Sequence, residues 1–376
     1  MKVRYSYLQQ QFANPEPIFE GIRELLKTGA FTLGPQVEEF EGKFAKLIGT
    51  KHAIGVASGT DALKLPLKAL GVGHGDEVIT AANTFIATAG AINEIGAVCK
   101  FIDATPYYVM DAELLEKAVT KKTKAIMPVH FTGEPVEMEQ VMYVAKKFGL
   151  PVVEDACQSI LCNYKGTNCG TFGAAGGFSL HPLKNLNVWS DGGVIVTNDS
   201  DLDAKLRLLR NHGLKNRDEI AVFGYNSRLD TIQAIVGNWL IPQTVDITNK
   251  RRDNAAYYDA AFSKMDGLVN LAPRRPHVKQ CYHLYMFEVA EKQRDSLLKF
   301  LVDSGIEAKV HYPIPLYQQE GLRHLGYKAG DFPVTDKQAK RIVSLPVDQH
   351  LSRKEQDYCI QKVQEFFAGK SREAKH

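Results

Sequence analysis

Three short runs in this 376-residue chain place reactive groups beside turn-forming residues. Ser58-Gly59-Thr60-Asp61-Ala62 lies between an apolar run and a helical pattern, so its free backbone N–H groups and hydroxyls form a ready phosphate site. The same residue types also make plain helix caps. Glu154-Asp155-Ala156-Cys157-Gln158 ends the apolar run Pro151-Val152-Val153. Ligands of open α/β sheets bind at the carboxyl ends of strands, so Asp155 either faces a ligand or caps a helix. Ser179-Leu180-His181-Pro182-Leu183-Lys184-Asn185, followed by Asp191-Gly192-Gly193, sets a lysine just after a buried strand. Enclosure there would lower the amine's pKa from about 10.4 and expose a nucleophile; a surface lysine is the alternative.

The elements needed to bring these runs together are written in the hydrophobic pattern. Short apolar runs at 52–58, 77–82, 98–104, 124–131, 151–157, 176–181 and 192–199 are expected strands. Helical patterns at 60–71, 84–96, 111–119 and 137–149 lie between most of them, the signature of a mostly parallel sheet with crossover helices. Pro66 sits beyond the first turn of its helix and is expected to kink it. Residues 246–262 read as a connecting helix, then strand 282–290, helix, strand and helix follow. A large domain over 1–245 and a smaller C-terminal α+β domain over 246–376 are therefore expected. The last helix opens on a capping box, Ser352 with Glu355.

Composition narrows the function. Lys plus Arg number 46 and Asp plus Glu 43, a formal charge of +3, too small and too evenly spread for a nucleic-acid footprint. No signal-peptide pattern opens the chain and no stretch approaches the roughly 18 apolar residues of a membrane span, so a cytoplasmic protein is expected. The six cysteines contain no C-x-x-C pair, and the eleven histidines no H-E-x-x-H, so reduced thiols and no metal are expected. A nicotinamide-dependent oxidoreductase would need G-x-G-x-x-G after the first strand, and ASGTDA lacks it.

Taken in order, TLGPQVEEFEGKFA, ASGTDAL, GDEVITAANTF, VEDACQS, FSLHPLKNL, DGGVIVTND, LRNHG, GYNSRLDTIQA and KVHYPIPLY resemble the DegT/DnrJ/StrS family of sugar aminotransferases over nearly the whole chain. The resemblance implies an α/β type I aminotransferase fold, a large domain with a mostly parallel seven-stranded sheet plus the smaller α+β domain. It also implies pyridoxal 5'-phosphate (PLP) as cofactor and a homodimer with shared active sites. Carried over, Lys184 is the Schiff-base lysine and Asp155 the partner of the protonated pyridine nitrogen. Gln158 stands beside the cofactor's phenolic oxygen and Phe85 stacks on its ring. Gly59, Thr60 and Ser179 hold the phosphate from one subunit, and Asn226 reaches it from the other. Arg228 is the candidate for a donor carboxylate, its planar fork suiting bidentate contact. His311 and Tyr312 line the acceptor pocket.

The sequence departs from the family pattern at Cys157 and the following Gln158-Ser159-Ile160, at Pro66, and at Asn187-Val188-Trp189-Ser190. Next to the lysine, the Trp189 loop is expected to reshape the acceptor pocket. A dehydratase branch of the family carries histidine at the position of Lys184, which favours transamination here. A PLP-binding regulator without turnover would be expected to lose Lys184, Asp155 or Gln158, and all three are present. The resemblance points to an amino acid donor, glutamate, and to a sugar acceptor. That acceptor is either a nucleotide-linked keto-deoxysugar or an oxidised sugar acid such as an 8-oxo octulosonate.

Overall fold

The computed structural model describes residues 1–265 and 267–373. The seven apolar runs form strands: β1 (His52–Val56), β2 (Glu77–Ala81), β3 (Val98–Ile102), β4 (Thr123–Ile126), β5 (Val153–Asp155), β6 (Ala175–Ser179) and β7 (Gly193–Thr197). They are short and almost continuously apolar because both faces of the sheet are covered; all five residues of β7 are buried. The order is β3-β2-β4-β5-β6-β7-β1, with β4 and β5 joined by the parallel bridges Ile126 to Val152 and Val129 to Asp155. Only β7 runs against its neighbours, so the carboxyl ends of β1, β2, β5 and β6 share one edge.

Helix α1 (Gly59–Ala69) begins where Ser58 Oγ accepts the N–H of Asp61 at 3.1 Å. It continues past Pro66 to Ala69, so the element is not interrupted there. The carbonyl of Ala62, the acceptor that Pro66 cannot reach with an N–H, lies against β6. A Cβ on Gly177 would come within 2.7 Å of it, so only glycine lets helix and sheet approach this closely. Helix α2 (Ile86–Glu94) is shorter than its pattern, because Phe85 is still extended at its N-cap. The expected helix 111–119 is a 3₁₀ turn, Ala112–Leu114, followed by one turn of α-helix, Leu115–Ala118. The 124–131 run leaves its ladder after Ile126 and ends in the turn Phe131–Gly133, where Thr132 has φ of 64°.

After α3 (Thr244–Phe262) the pattern changes as read. Strand β8 (Tyr285–Glu288) pairs antiparallel with β9 (Ile342–Leu345), and α4 (Glu291–Asp303) and α5 (Arg353–Glu373) complete this part. Tyr258, Phe262, Phe287, Leu297 and Val363 are fully buried between them. The capping box is formed in both directions: Ser352 Oγ accepts from Glu355 N at 3.3 Å, and Glu355 Oε2 accepts from Ser352 N at 2.8 Å. At the other terminus, Val3 bridges to Ile306 and Tyr5 N donates to Glu307 Oε2 at 2.9 Å. Among the described residues, no helix is long and apolar enough to cross a membrane.

Candidate active site

A cleft of about 360 Å³ opens at the shared carboxyl edge of the sheet. Gly59, Thr60, Phe85, Gln158, Ser179, Lys184, His311 and Tyr312 all line it, so eight of the residues singled out in the sequence meet in one place. Lys184 lies in a turn closed by its N–H on the carbonyl of His181 at 2.8 Å. Its own carbonyl accepts from Tyr7 Oη at 2.9 Å and Asn187 Nδ2 at 3.0 Å. Desolvation lowers the pKa of the Lys184 amine, while the charges of Cys157 and Asp155 act to raise it; the net direction is down, toward the nucleophilic free base.

Asp155 is buried behind the lining residues, at the end of β5. Its Oδ2 accepts from Thr88 Oγ1 at 2.6 Å, and its Oδ1 from Cys157 N at 3.1 Å. A carboxylate offers about four acceptor sites, so two bonds leave capacity for a further cationic donor. Thr88, set by its own contact with Thr84 Oγ1 at 2.7 Å, was not legible as a site residue, since it sits mid-helix in an apolar pattern.

The cleft is also lined by the first residues of α1, with the hydroxyls of Thr60 and Ser179. Here a Cβ on Gly59 would meet the Ser179 Cβ at 2.6 Å and Cys157 Sγ at 3.2 Å. Glycine therefore lets the helix terminus sit directly on β6. Phe85 is 48% exposed, its ring centroid 5.7 Å from that of Tyr312. Gln158 Oε1 accepts from Thr132 N at 2.8 Å. His311 Nδ1 lies 2.9 Å from Ser344 Oγ, and burial, with the charges of Lys309 and Lys184, pushes the imidazole down to about 4.

Two expected residues stand apart. Asn226 is exposed and bridges to Asn211, and Arg228 Nη1 donates to Asn211 Oδ1 at 3.3 Å; neither lines the cleft of its own chain. Trp189 does not line it either. Its ring packs edge-on against Phe12 at 5.9 Å and Phe19 at 5.8 Å, so apolar partners near the N-terminus hold the indole away from this cleft. Sequence reasoning also missed Tyr5, Tyr7, Arg251, His283 and Asp348 on the cleft wall. No local motif marks them, because they converge from segments hundreds of residues apart.

The donor set fits a phosphorylated pyridine aldehyde: helix-terminal N–H groups and hydroxyls for the phosphate, a lysine of lowered pKa for the aldehyde, and a buried carboxylate for the ring nitrogen. This sheet order, with that lysine and carboxylate at its carboxyl edge, defines a PLP-dependent aminotransferase of the type I fold. The chain belongs to the DegT/DnrJ/EryC1/StrS aminotransferase family, which it matches over residues 14–364. It is 40% identical to the UDP-N-acetyl-3-dehydro-alpha-D-glucosamine 3-aminotransferase of Acidithiobacillus ferrooxidans over 344 residues, 91% of each chain. It is also 40% identical to a pleiotropic regulatory protein of Geobacillus stearothermophilus over 370 residues, 98% of this chain and 99% of that one. The crystal structure of DesV from S. venezuelae in complex with a ketimine intermediate superposes with a TM-score of 0.94 at 34% identity, covering 97% of this chain and 98% of that chain.

Proposed function

We propose that this aminotransferase moves an amino group from glutamate to a keto sugar carried on a nucleotide. The observation that carries the reading is the convergence of Lys184 and the α1 terminus on one cleft, with Asp155 buried behind its lining at the end of β5, in a chain whose Acidithiobacillus relative is named for a UDP-linked keto sugar. When bound, PLP supplies an electron sink for the carbanion left by loss of the donor's α-proton. Lys184 would hold the cofactor covalently through its Nζ, and the same amine, of lowered pKa, would be the base for that α-proton. Asp155 keeps the ring nitrogen protonated. Gly59, Thr60 and Ser179 bind the phosphate, Gln158 lies by the phenolic oxygen, Phe85 covers the ring, and His311 and Tyr312 hold the acceptor.

In this reading Asn226 and Arg228 serve the cleft of a second copy. The segment before them supports it: Ile220, Val222 and Phe223 are exposed, Phe223 by 96%, which is costly unless covered. Arg251, a buried guanidinium on the cleft wall, favours testing a carboxylate-bearing acceptor as well. The test offers glutamate with UDP- and dTDP-linked keto sugars and with an oxidised sugar acid, and follows 2-oxoglutarate and the amino sugar. Failure to aminate either nucleotide-linked sugar by an enzyme whose Lys184 is labelled on borohydride reduction would refute the acceptor assignment, whether or not the sugar acid reacts. Labelling of a different lysine would refute the site.

A further inference from the structure

A directional chain of buried side chains runs from α3 to the backbone of Lys184. Arg251 Nε donates to Gln349 Oε1 at 3.2 Å, and Gln349 Nε2 donates to Gln11 Oε1 at 2.6 Å. Gln11 Nε2 donates to Asn187 Oδ1 at 2.6 Å, and Asn187 Nδ2 donates to the carbonyls of Pro182 at 2.6 Å and Lys184 at 3.0 Å. Tyr7 Oη donates to the same Lys184 carbonyl. Tyr7, Gln11, Asn187, Arg251 and Gln349 are each less than a tenth exposed. The sense of the chain is forced from both ends, because a guanidinium only donates and a backbone carbonyl only accepts. Every amide between them has one orientation that satisfies both neighbours.

Residues 181–192 form neither strand nor helix, so the direction of the Lys184 side chain is set by what holds that loop. Within it, Lys184 N bonds the His181 carbonyl and Val188 N bonds the Leu180 carbonyl. The hydrogen bonds to the Lys184 carbonyl come from Asn187 and from Tyr7, the N-cap of the short helix Leu8–Gln11 that ends on Gln11. Phe12, next along, packs on Trp189 and fixes the far side of the same loop. We infer that Tyr7, Gln11 and Asn187 are positioning residues: the N-terminal arm fixes the carbonyl of Lys184 and so the line along which its amine enters the cleft. The inference rests on Lys184 being the residue that binds PLP.

The test uses the holoenzyme of wild type, Tyr7→Phe, Gln11→Met, Asn187→Leu and the Gln11→Met/Asn187→Leu double variant. Three quantities are read: the pH midpoint of the visible absorbance of the lysine-linked cofactor, amide hydrogen exchange over 183–188, and the thermal unfolding midpoint. The absorbance midpoint reports the geometry of the lysine without any amino donor. Gln11→Met should shift it by about one pH unit, the scale of one lost hydrogen bond, and speed exchange over 183–188. The double variant should shift it no further than its stronger parent, because both substitutions break one chain. A purely structural role predicts lower unfolding midpoints with the absorbance midpoint unchanged, and that result overturns the inference. Tyr7→Phe removes a single hydroxyl and decides in the same way if the amide variants do not fold. Borohydride labelling of wild type separates the two readings. Label on another lysine defeats the cofactor assignment, whereas label on Lys184 with unshifted variants defeats only the positioning role.

Discussion

Burial in the cleft drives its acids and bases toward neutral forms. The amine of Lys184 and the imidazoles of His181, His283 and His311 are lowered, chiefly by desolvation, whereas the thiol of Cys157 and the phenols of Tyr5 and Tyr312 are raised by the same cause. Asp155 lies behind that lining and accepts hydrogen bonds from Thr88 and Cys157. Asp155→Asn keeps the shape and removes the charge. A charge-assisted hydrogen bond contributes about 1.5–3 kcal/mol, so turnover should fall about 10- to 150-fold, and far more than PLP affinity. Unchanged kcat in the purified variant would reduce Asp155 to a cap. Lys184→Ala should bind PLP without covalent linkage and should not turn over; activity in a preparation free of wild type would remove the proposed role. The His311 shift also sets a pH dependence. The folded imidazole titrates at about 4 and the unfolded one near 6.5, so the unfolded chain takes up the proton first as pH falls. Its contribution to stability is complete above the unfolded value and is lost as pH drops through 4, and His283 acts in the same direction. His311→Asn should flatten the loss of stability between pH 6.5 and 4, measured by urea midpoints; an unaltered slope would contradict the shift.

The elements were the most legible part of the sequence, and the reason is the sheet. Strands covered on both faces are apolar throughout, so seven of them could be bounded within a few residues, and each reactive run fell at a strand's carboxyl end. Residues 111–119 misled because apolar spacing suits a 3₁₀ turn and one helical turn as well as a longer helix. The cleft wall contributed by Tyr7, Arg251 and His283 was unreadable, since those contacts exist only once distant segments meet. At the phosphate end, the packing of α1 on β6 gives a direct test. In Gly59→Ala the new Cβ would meet the Ser179 Cβ, which has no flexible tip to swing away, so the helix terminus must shift. Overpacking of this kind costs about 1–3 kcal/mol, and PLP affinity should drop about tenfold or more. Wild-type affinity in that variant would mean that the α1 terminus does not hold the phosphate.

For the whole molecule, we propose a two-fold dimer in which residues 246–376 form a smaller unit against the large one. The resemblance alone points to Asn226 and Arg228, and neither lines the cleft of its own chain, as a shared site would require. Lys184→Ala and Arg228→Ala homodimers should each be poorly active. Refolded together in equal amounts, about half the dimers are mixed, each with one intact site, so about a quarter of wild-type activity should return. If mass analysis shows mixed dimers and activity merely averages the parents, Arg228 does not serve the neighbouring lysine. The pairing of Val3 with Ile306 carries a different consequence, one of timing. Synthesis proceeds from the N-terminus, yet the partner of the third residue is made about three hundred residues later, and Gln349 of the buried polar chain later still. Such sequence-distant closure is slow because its loop entropy is lost before any contact repays it. The sheet and helix α1 can therefore assemble on the ribosome while the arm waits for the segment around Ile306, and the loop bearing Lys184 gains the restraint that runs through Gln349 only once that residue has been made.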